Sequence, residues 1–342
     1  MEFVQVGLGF RSQAFKRVLS DLGQFRCAGL VLRKSRTAAV PVYTDLGDAL
    51  DHLQPDFVLS FAPARTTPAM LETAVAHGVR ILAETPPAAT VGELDRLGDL
   101  AGSGLVHIAE QYPFMPGHAA WLAAVRLGLI GEVSQVQVSS TQTYHAMALI
   151  RAYLGIGAAS AVVRAHRFSA PLVDPLTRAG WTLDPIAHQA ATTLASIDFG
   201  EGRSGIYDFT DNQTRNLLRT RRLVVRGSHG EISGEQVVRL AGEGLITTTY
   251  LNRRQTGHDL DLNGYCTYQI TLGDHILWTN PWPDARWNDD ELAVAETLAR
   301  TEAWVRGVGP GPYPLAQALF DARLGLAIDE AVQVDRAVQV VA

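Results

Sequence analysis

Asp184 and His188 are the residues whose types and spacing best suit proton transfer. An imidazole titrates near neutral pH, and a neighbouring carboxylate can fix its tautomer and stabilise its cation. Because Asp184 precedes Pro185, a helix is predicted to start here and to run through Ile197, with both side chains on one side of its first turn. On spacing alone, a helix N-cap at position 184 and a buried structural histidine at position 188 explain the pair somewhat better than catalysis does.

A glycine-rich turn near the start of the chain has the layout of a pyrophosphate-binding site. The run Phe3–Phe15 predicts an apolar strand, a turn and a helix. Gly7 permits the tight turn, and Gly9 lets a phosphate approach backbone N–H groups at the positive end of the helix. Ser12 stands where a third small residue is usual, and the pattern also fits a glycine-rich turn in another kind of α/β protein. The cofactor residues predicted in this segment are Gly7, Gly9, Phe10, Arg11 and Ser12.

A basic cluster, Arg33-Lys34-Ser35-Arg36, follows the second predicted strand at 25–32. In a dinucleotide fold an acidic residue at this point receives the ribose 2′-OH of NAD, whereas basic side chains receive the 2′-phosphate of NADP. No acid stands in the cluster. We therefore predict NADP as the cofactor, held by Arg33, Lys34 and Arg36, with NAD as the alternative. An ordinary solvated loop is the interpretation without function.

Three further strands are predicted to end at the same edge of a parallel sheet. They span 57–61, 79–83 and 105–109 and alternate with helices at 45–53, 67–77 and 91–100. Ligands bind at the carboxyl ends of strands in open α/β sheets, so Glu84 and Thr85 should face the nicotinamide. The site residues predicted at these strand ends are Ala62, Pro63, Glu84, Thr85, Gln111 and Tyr112.

Composition limits the class of protein. With 342 residues, 47% of them hydrophobic and 19% charged, the chain is long enough for two globular domains, predicted at 1–120 and 121–342. A net charge of −6 gives no basic footprint for nucleic acid. Cys27 and Cys266 form no framework, which fits a reducing, cytoplasmic compartment, and no apolar run approaches the length of a membrane span. A small-molecule partner is expected, without a metal site.

The second half predicts a large, mostly antiparallel sheet. Residues 134–143 alternate between polar and apolar types, which indicates a sheet with one wet face. Later strand patterns lie at 161–168, 205–209, 222–226, 237–240, 246–250, 266–271 and 275–279. Helices are predicted at 121–127, from Arg286 onward and from Tyr313 to Val332. Tyr144 and His145 interrupt the strand pattern and are predicted to point into a substrate cleft, although an ordinary loop or helix cap explains them equally well.

The order of these elements resembles the glucose-fructose oxidoreductase, inositol dehydrogenase and rhizopine catabolism family, written Gfo/Idh/MocA. In that family a strand, an Ala-Thr-Pro-like turn, a helix ending in Gly and a strand ending in Glu-Lys-Pro recur, as they do here from Asp56 to Pro87. The family lysine falls on Thr85. A Gly-Gly-x-x-x-Asp-x-Gly-x-His pattern is matched by Gly180, Asp184 and His188. Three positions depart from its common residues: Trp181, Pro185 and Ile186.

The resemblance covers essentially the full chain and implies an α/β N-terminal Rossmann domain with an α+β C-terminal domain built on a large, mostly antiparallel open sheet. It implies hydride transfer between nicotinamide and a sugar, cyclitol or related polyhydroxy or keto compound. His188 would be the acid/base and Asp184 would orient it or the substrate. Homodimers or homotetramers through the C-terminal sheet are also implied. The predicted substrate-binding residues are Tyr112, Tyr144, His145 and Trp181.

Two alternatives to a dehydrogenase stay open, the first of them because of Thr85. This side chain can donate one hydrogen bond but carries no charge, and Lys16 and Lys34, the only lysines, belong to the first helix and the ribose corner. One alternative is a dinucleotide-binding sensor or regulator without turnover. The other is a glycosidase that uses transient oxidation by tightly held NAD.

Overall fold

The computed structural model describes residues 1–257, 259 and 264–341. These residues form two compact units, one of 1–116, 255–257, 259, 264–268 and 280–322, the other of 117–254, 269–279 and 323–341. This differs from a contiguous division at residue 120, because two later segments return to the first unit. The predicted fold class is confirmed: the first unit contains a parallel Rossmann-type sheet and the second a large, mostly antiparallel sheet.

The described residues form eight α-helices and nineteen strands. The helices are α1 (Phe10–Leu22), α2 (Leu46–Leu53), α3 (Thr67–Ala76), α4 (Val91–Leu97), α5 (Pro116–Arg126), α6 (Thr143–Leu154), α7 (Asp289–Val305) and α8 (Leu315–Val334). The strands are β1 (Glu2–Val6), β2 (Arg26–Val31), β3 (Val42–Tyr43), β4 (Phe57–Ser60), β5 (Arg80–Ala83), β6 (Val106–Ile108), β7 (Val133–Ser139), β8 (Ala161–Leu172), β9 (Leu176–Thr177), β10 (Gly180–Trp181), β11 (His188–Asp198), β12 (Ser204–Thr210), β13 (Arg222–Gly227), β14 (Gly230–Ser233), β15 (Gln236–Leu240), β16 (Ile246–Thr256), β17 (Cys266–Leu272), β18 (His275–Thr279) and β19 (Val338–Val340). In the described ranges, no helix combines the length and the apolar character needed to cross a membrane.

Six parallel strands form the sheet of the first unit, in the order β3-β2-β1-β4-β5-β6. Their centres are apolar and fully buried, as at Val4, Val58 and Leu82, which is typical of a sheet covered on both faces. The strand order reverses between β1 and β4. In such sheets a crevice opens at the carboxyl ends of the two strands that flank the reversal, and ligands bind there.

Helix α7 belongs to the first unit although it lies far along the chain. It packs against α1, and Trp287, just before α7, donates its Nε1–H to Asp21 Oδ2 at 2.8 Å. At the other end of the helix, Trp304 donates to Gly104 O at 3.1 Å and lies edge-on to the His107 ring, with the ring centroids 4.5 Å apart. This late helix therefore completes the core of the first unit.

Eleven strands form the main sheet of the second unit, in the order β18-β17-β16-β15-β14-β13-β7-β12-β11-β8-β19. Among the described pairings all are antiparallel except that of β7 with β12. Helix α6 lies against the buried face. A Cβ at Gly205 in β12 would come within 2.8 Å of Ile150 Cγ2, so helix and sheet are in close contact at this point.

The two faces of this sheet differ, as the predicted wet face requires. Tyr207 and Val225 point to the buried face. We call the opposite side the outer face. It carries Phe168, which is 56% exposed, together with the exposed side chains of Leu194 and Tyr250. The register of the intervening strands places all three on this one face.

The segment that follows Pro185 is a strand, so the helix predicted there through Ile197 is wrong. Strand β11 pairs with β8 along its whole length and with β12 from Thr192 onward. The β-branched side chains of Thr192 and Thr193 suit a pleated surface. Strand pairing outweighs the helical spacing of residues 184 and 188. Residues 192–198 have a hydrogen-bonded strand on each side, so their backbone N–H and C=O groups find partners in the sheet.

Residues 143–154 form a helix and not the continuation of a strand. The strand predicted to reach Thr143 ends at Ser139, and α6 begins at Thr143. Tyr144 and His145 therefore lie in the first turn of a helix. His145 is buried and Tyr144 is half-buried.

His107 should make the first unit sensitive to acid. It is 7% exposed, and burial lowers its pKa to about 4, although a backbone hydrogen bond at Tyr313 acts in the opposite direction. Its ordinary pKa is 6.5, so the unfolded chain binds more protons than the folded chain between pH 6.5 and about 4. We expect a loss of about 3 kcal/mol as the pH falls through this window, and no loss from this residue above it.

The measurement compares the urea midpoints of wild type and His107→Gln, followed by circular dichroism, above pH 6.5 and at about pH 4. Glutamine offers a neutral amide in place of the imidazole. The wild-type midpoint should fall further on acidification than that of the variant. Equal falls in the two proteins would show that His107 takes up its proton without cost.

Candidate functional site

The turn between β1 and α1 is the centre of the candidate cofactor site. Gly7 has a left-handed backbone, with φ +79°, and a Cβ there would lie 3.1 Å from Phe61 O, so glycine is required. Gly9 has φ −68° and ψ 179°, a conformation open to any residue. Apart from Gly9 itself and its two chain neighbours, no described residue places an atom within 4 Å of a Cβ built on Gly9. The backbone at Gly9 therefore does not require glycine. What the lack of a side chain does here is leave the space beside the turn open.

The N-terminus of α1 presents a positive end to that space. Gly9 is the N-cap and makes no side-chain hydrogen bond to the first turn, and no acidic residue stands in that turn. Buried Ser12 closes the turn, since its backbone N–H and its Oγ both donate to Gly9 O, at 3.1 Å and 2.6 Å. A helix start of this kind, with backbone N–H groups and the helix dipole directed outward, suits a phosphate.

Arg11, in the same turn, is held by an acid from α7. Its Nη1 forms a close ion pair with Asp290. With the Gln111 amide oriented to satisfy both of its neighbours, Arg11 Nη2 donates to Gln111 Oε1 at 3.2 Å. Burial on its own would lower the pKa of Arg11, but the negative charges of Asp290 and Glu84 raise it. The guanidinium therefore stays charged while its position is fixed.

The ends of β4 and β5 bring the other predicted residues to this edge of the sheet. Thr67 Oγ1 donates to Ala62 O at 3.1 Å and fixes the turn that contains Ala62 and Pro63. The Glu84 N–H donates to Ser60 O at 2.9 Å. Thr85 Oγ1 donates to Glu84 Oε1 at 3.4 Å. Position 85 thus offers a hydroxyl where a lysine would offer a charge.

The basic cluster lies where the sequence places it, in the loop after β2. Arg33, Lys34 and Arg36 are exposed. In the part of the chain that the structure describes, none of the three pairs with a carboxylate. Their charges are therefore available at the carboxyl end of the strand beside β1.

In the second unit, Asp184 and His188 meet, although on a loop and a strand. His188 is the first residue of β11, and its Nε2 lies 3.0 Å from Asp184 Oδ2. The hydrogen bond with His188 and a second one from the backbone N–H of Ile186, at 2.9 Å, lower the pKa of Asp184. The His188 side chain is 67% exposed. It is therefore not a buried structural histidine, and Asp184 caps no helix.

The remaining predicted substrate residues of the second unit have different surroundings. Trp181 ends β10 and is largely exposed. Tyr144 and His145 lie side by side at the start of α6, with their ring centroids 4.2 Å apart. Their roles toward a substrate stay predictions, as does that of Tyr112, whose N–H donates to Glu110 Oε1 at 3.1 Å in the first unit.

The comparisons with known proteins bear on the fold. No protein-family model matches the sequence, and a search of curated proteins found no match. Solved structures do match. An oxidoreductase from Agrobacterium radiobacter, in complex with NAD+, L-tartaric acid and magnesium, is 17% identical with a TM-score of 0.68, over 99% of this chain and 98% of that one.

Two further solved structures are dehydrogenases. A levoglucosan dehydrogenase, in complex with NADH and levoglucosan, is 17% identical with a TM-score of 0.70, over 99% of both chains. A myo-inositol dehydrogenase from Corynebacterium glutamicum is 14% identical with a TM-score of 0.66, over 99% of this chain and 98% of that one. The chain shares the fold of these three oxidoreductases. The fold implied by the sequence resemblance is thereby confirmed.

Asp290 is a residue of the candidate site that the sequence did not reveal. It stands in the acidic run at the start of α7, and such runs ordinarily predict only favourable charges at a helix N-terminus. The structure shows that this run faces α1, since Glu291 pairs with Arg17 at 2.8 Å beside the ion pair of Asp290 with Arg11. The ion pair of Asp290 with Arg11 could not be inferred from the sequence, because it forms only where the chain returns to the first unit.

Gly9→Ala should preserve the fold and weaken binding of the predicted cofactor. Because the backbone of Gly9 suits alanine and the Cβ meets nothing, stability should be unchanged or rise by about 0.4–1 kcal/mol. A methyl group in the open space should raise the Kd for NADPH on the order of tenfold or more, as a hydrogen bond to a charged phosphate is lost. Thermal unfolding and a fluorescence titration with NADPH measure the two effects.

Gly7→Ala is the matched control for that experiment. Its left-handed backbone should make the alanine variant less stable by about 1–2 kcal/mol. If Gly9→Ala bound NADPH as tightly as wild type, no phosphate would approach this turn.

Proposed function

We propose that this protein is an NAD(P)-dependent oxidoreductase that transfers a hydride between nicotinamide and a sugar, cyclitol or related polyhydroxy or keto compound. The observation that carries the proposal is the space left open at Gly9, beside an N-terminus of α1 that no acidic side chain caps. The likeness in fold to a levoglucosan dehydrogenase and a myo-inositol dehydrogenase supports the substrate class.

The residues present fit a dinucleotide, and NADP is the form proposed. The first turn of α1 would hold the pyrophosphate, and Arg33, Lys34 and Arg36 would hold the 2′-phosphate through charge-assisted hydrogen bonds. NAD is the alternative, because two solved structures with this fold contain NAD+ or NADH.

Proton transfer is assigned to His188. NAD(P), when bound, supplies the hydride acceptor or donor. His188 takes the hydroxyl proton during oxidation and returns it during reduction. Because its Nε2 is hydrogen-bonded to ionised Asp184, the neutral ring donates Nε2–H and leaves Nδ1 as the nitrogen that exchanges the proton. Asp184 thus fixes the tautomer and stabilises the cation.

Because position 85 holds a threonine, His188 would carry out proton transfer without a charged side chain from this position to assist it. Its hydroxyl can donate one hydrogen bond near the reacting oxygen but cannot supply positive charge. Tyr112 and Tyr144 are the further polar side chains proposed to orient the substrate, with His145 and Trp181. A dinucleotide-binding sensor without turnover is the second candidate, favoured by the uncharged residue at position 85.

We also propose that copies of the chain associate as a homodimer or homotetramer through the outer face of the second sheet. The exposed apolar side chains of Phe168, Leu194 and Tyr250 on that face support this. The free thiols of Cys27 and Cys266 support the proposed cytoplasmic location.

His188→Ala should lower turnover roughly 100-fold or more and leave NADPH affinity unchanged, because a positioned proton carrier acts on the chemical step alone. The measurement follows the absorbance of reduced nicotinamide with a panel of keto sugars and cyclitols. His166→Ala is the matched control, since His166 is also exposed and lies 3.6 Å from a carboxylate, that of Asp335.

Undiminished turnover in His188→Ala would remove His188 from the mechanism. Tight NADPH binding by wild type without turnover of any compound in the panel would favour the sensor.

Arg33→Asp should shift the cofactor preference toward NADH. Replacing a cation by an anion at the ribose corner should raise the Kd for NADPH on the order of tenfold, with little change for NADH. Fluorescence titration with both nucleotides measures this, and Arg336→Asp, which changes an exposed arginine of the second unit, controls for net charge. Identical preferences in wild type and Arg33→Asp would contradict the assignment of the cluster to the 2′-phosphate.

A further inference from the structure

An arginine-lined pocket lies in the second unit, in the loop 211–221 between β12 and β13. The pocket is open and has a volume of about 350 Å³. Its lining includes Arg215, Arg219 and Arg221, and no acidic residue stands among the described residues that line it. In a chain with a net charge of −6, this is a local concentration of positive charge.

The loop beneath these arginines is fixed by two buried amides. Gln213 Nε2 donates to Ser139 O and to Thr220 O, both at 2.9 Å. Asn216 Nδ2 donates to Val173 O at 2.9 Å. Both amide side chains are almost fully buried. These buried amides therefore hold the loop backbone in one shape, and this is the preorganisation that a binding site needs.

The three guanidinium groups have no counter-charge in the described part of the chain. Arg222, directly after the loop, pairs with Asp208 at 2.6 Å. Arg215 and Arg219 instead make longer contacts to neutral oxygens, at 3.4 Å and 3.2 Å, and Arg221 forms no ion pair with any described residue. Like charges gathered in one pocket repel one another, and a bound anion relieves that repulsion.

We propose that this pocket binds a small organic anion that carries a phosphate or carboxylate group. Guanidinium groups recognise both through paired N–H donors. The volume lies within the range of small-molecule sites, and Leu217 adds an apolar wall for the carbon skeleton of the ligand. The inference goes beyond the proposed function, because none of the residues that line the pocket is assigned there to cofactor binding, substrate binding or proton transfer.

The experiment titrates 3-phosphoglycerate into the full chain by calorimetry, with NADPH present at saturation so that the proposed cofactor site is filled. Binding should weaken on the order of tenfold in Arg215→Gln and in Arg219→Gln, as one charged hydrogen-bonding group is lost, and should weaken further with added salt. Arg336→Gln, an exposed arginine of the same unit, should bind as wild type. Circular dichroism verifies that each variant is folded.

Inorganic phosphate and succinate, titrated separately, distinguish recognition of phosphate from that of carboxylate. Equal affinities in wild type and both pocket variants, or no binding of the three probes at millimolar concentration, would overturn the proposal. Co-sedimentation with phosphatidylserine vesicles that both variants abolish, without binding of the soluble probes, would replace it by a membrane-binding surface. Should NADPH itself fail to bind, the proposed function fails, and the same titration without NADPH still decides the fate of the pocket.

Discussion

The reversal of strand order between β1 and β4 is the constraint on which the candidate site depends. Connections from neighbouring strands leave on opposite sides at that point, so the carboxyl ends of β1 and β4 are not covered by a crossover. The chain places its least bulky residues there. Gly7 turns the backbone sharply against Phe61, and Gly9 leaves the start of α1 uncovered. The uncovered strand ends and the small residues thus lie at the same edge of the sheet. A phosphate needs this, because a side chain would otherwise block the backbone N–H groups that bind it.

The ion pair of Arg11 with Asp290 shows how a distant segment stabilises this edge. An arginine in the first turn of a helix is unfavourable with respect to the helix dipole, and the neighbouring carboxylate compensates for it. Because Asp290 comes from α7, the shape of the first turn depends on residues that follow all but the last strand of the main sheet in sequence. The Arg11 guanidinium already contacts Asp290 and Gln111. The main hydrogen-bond donors that the turn has for a phosphate are therefore its backbone N–H groups.

Local chemistry made the first sheet predictable from the sequence. Strand, glycine turn and helix follow one another between Phe3 and Phe15, and each signal acts over a few residues. The strand at 188–198 was not predictable in this way, since alanines and threonines at that spacing suit a helix as well as a strand, and the choice was made by pairing with β8 and β12. The contact between Asp184 and His188 was anticipated, but from a helix that does not form.

The return of α7 to the first unit also governs the order in which this protein can assemble during synthesis. Until the ribosome has added Trp287 and Trp304, the surfaces on α1 and beside β6 that these two indoles cover remain exposed to solvent. The N-terminal segment of the nascent chain therefore keeps part of its core surface exposed until almost all of the second unit has been translated.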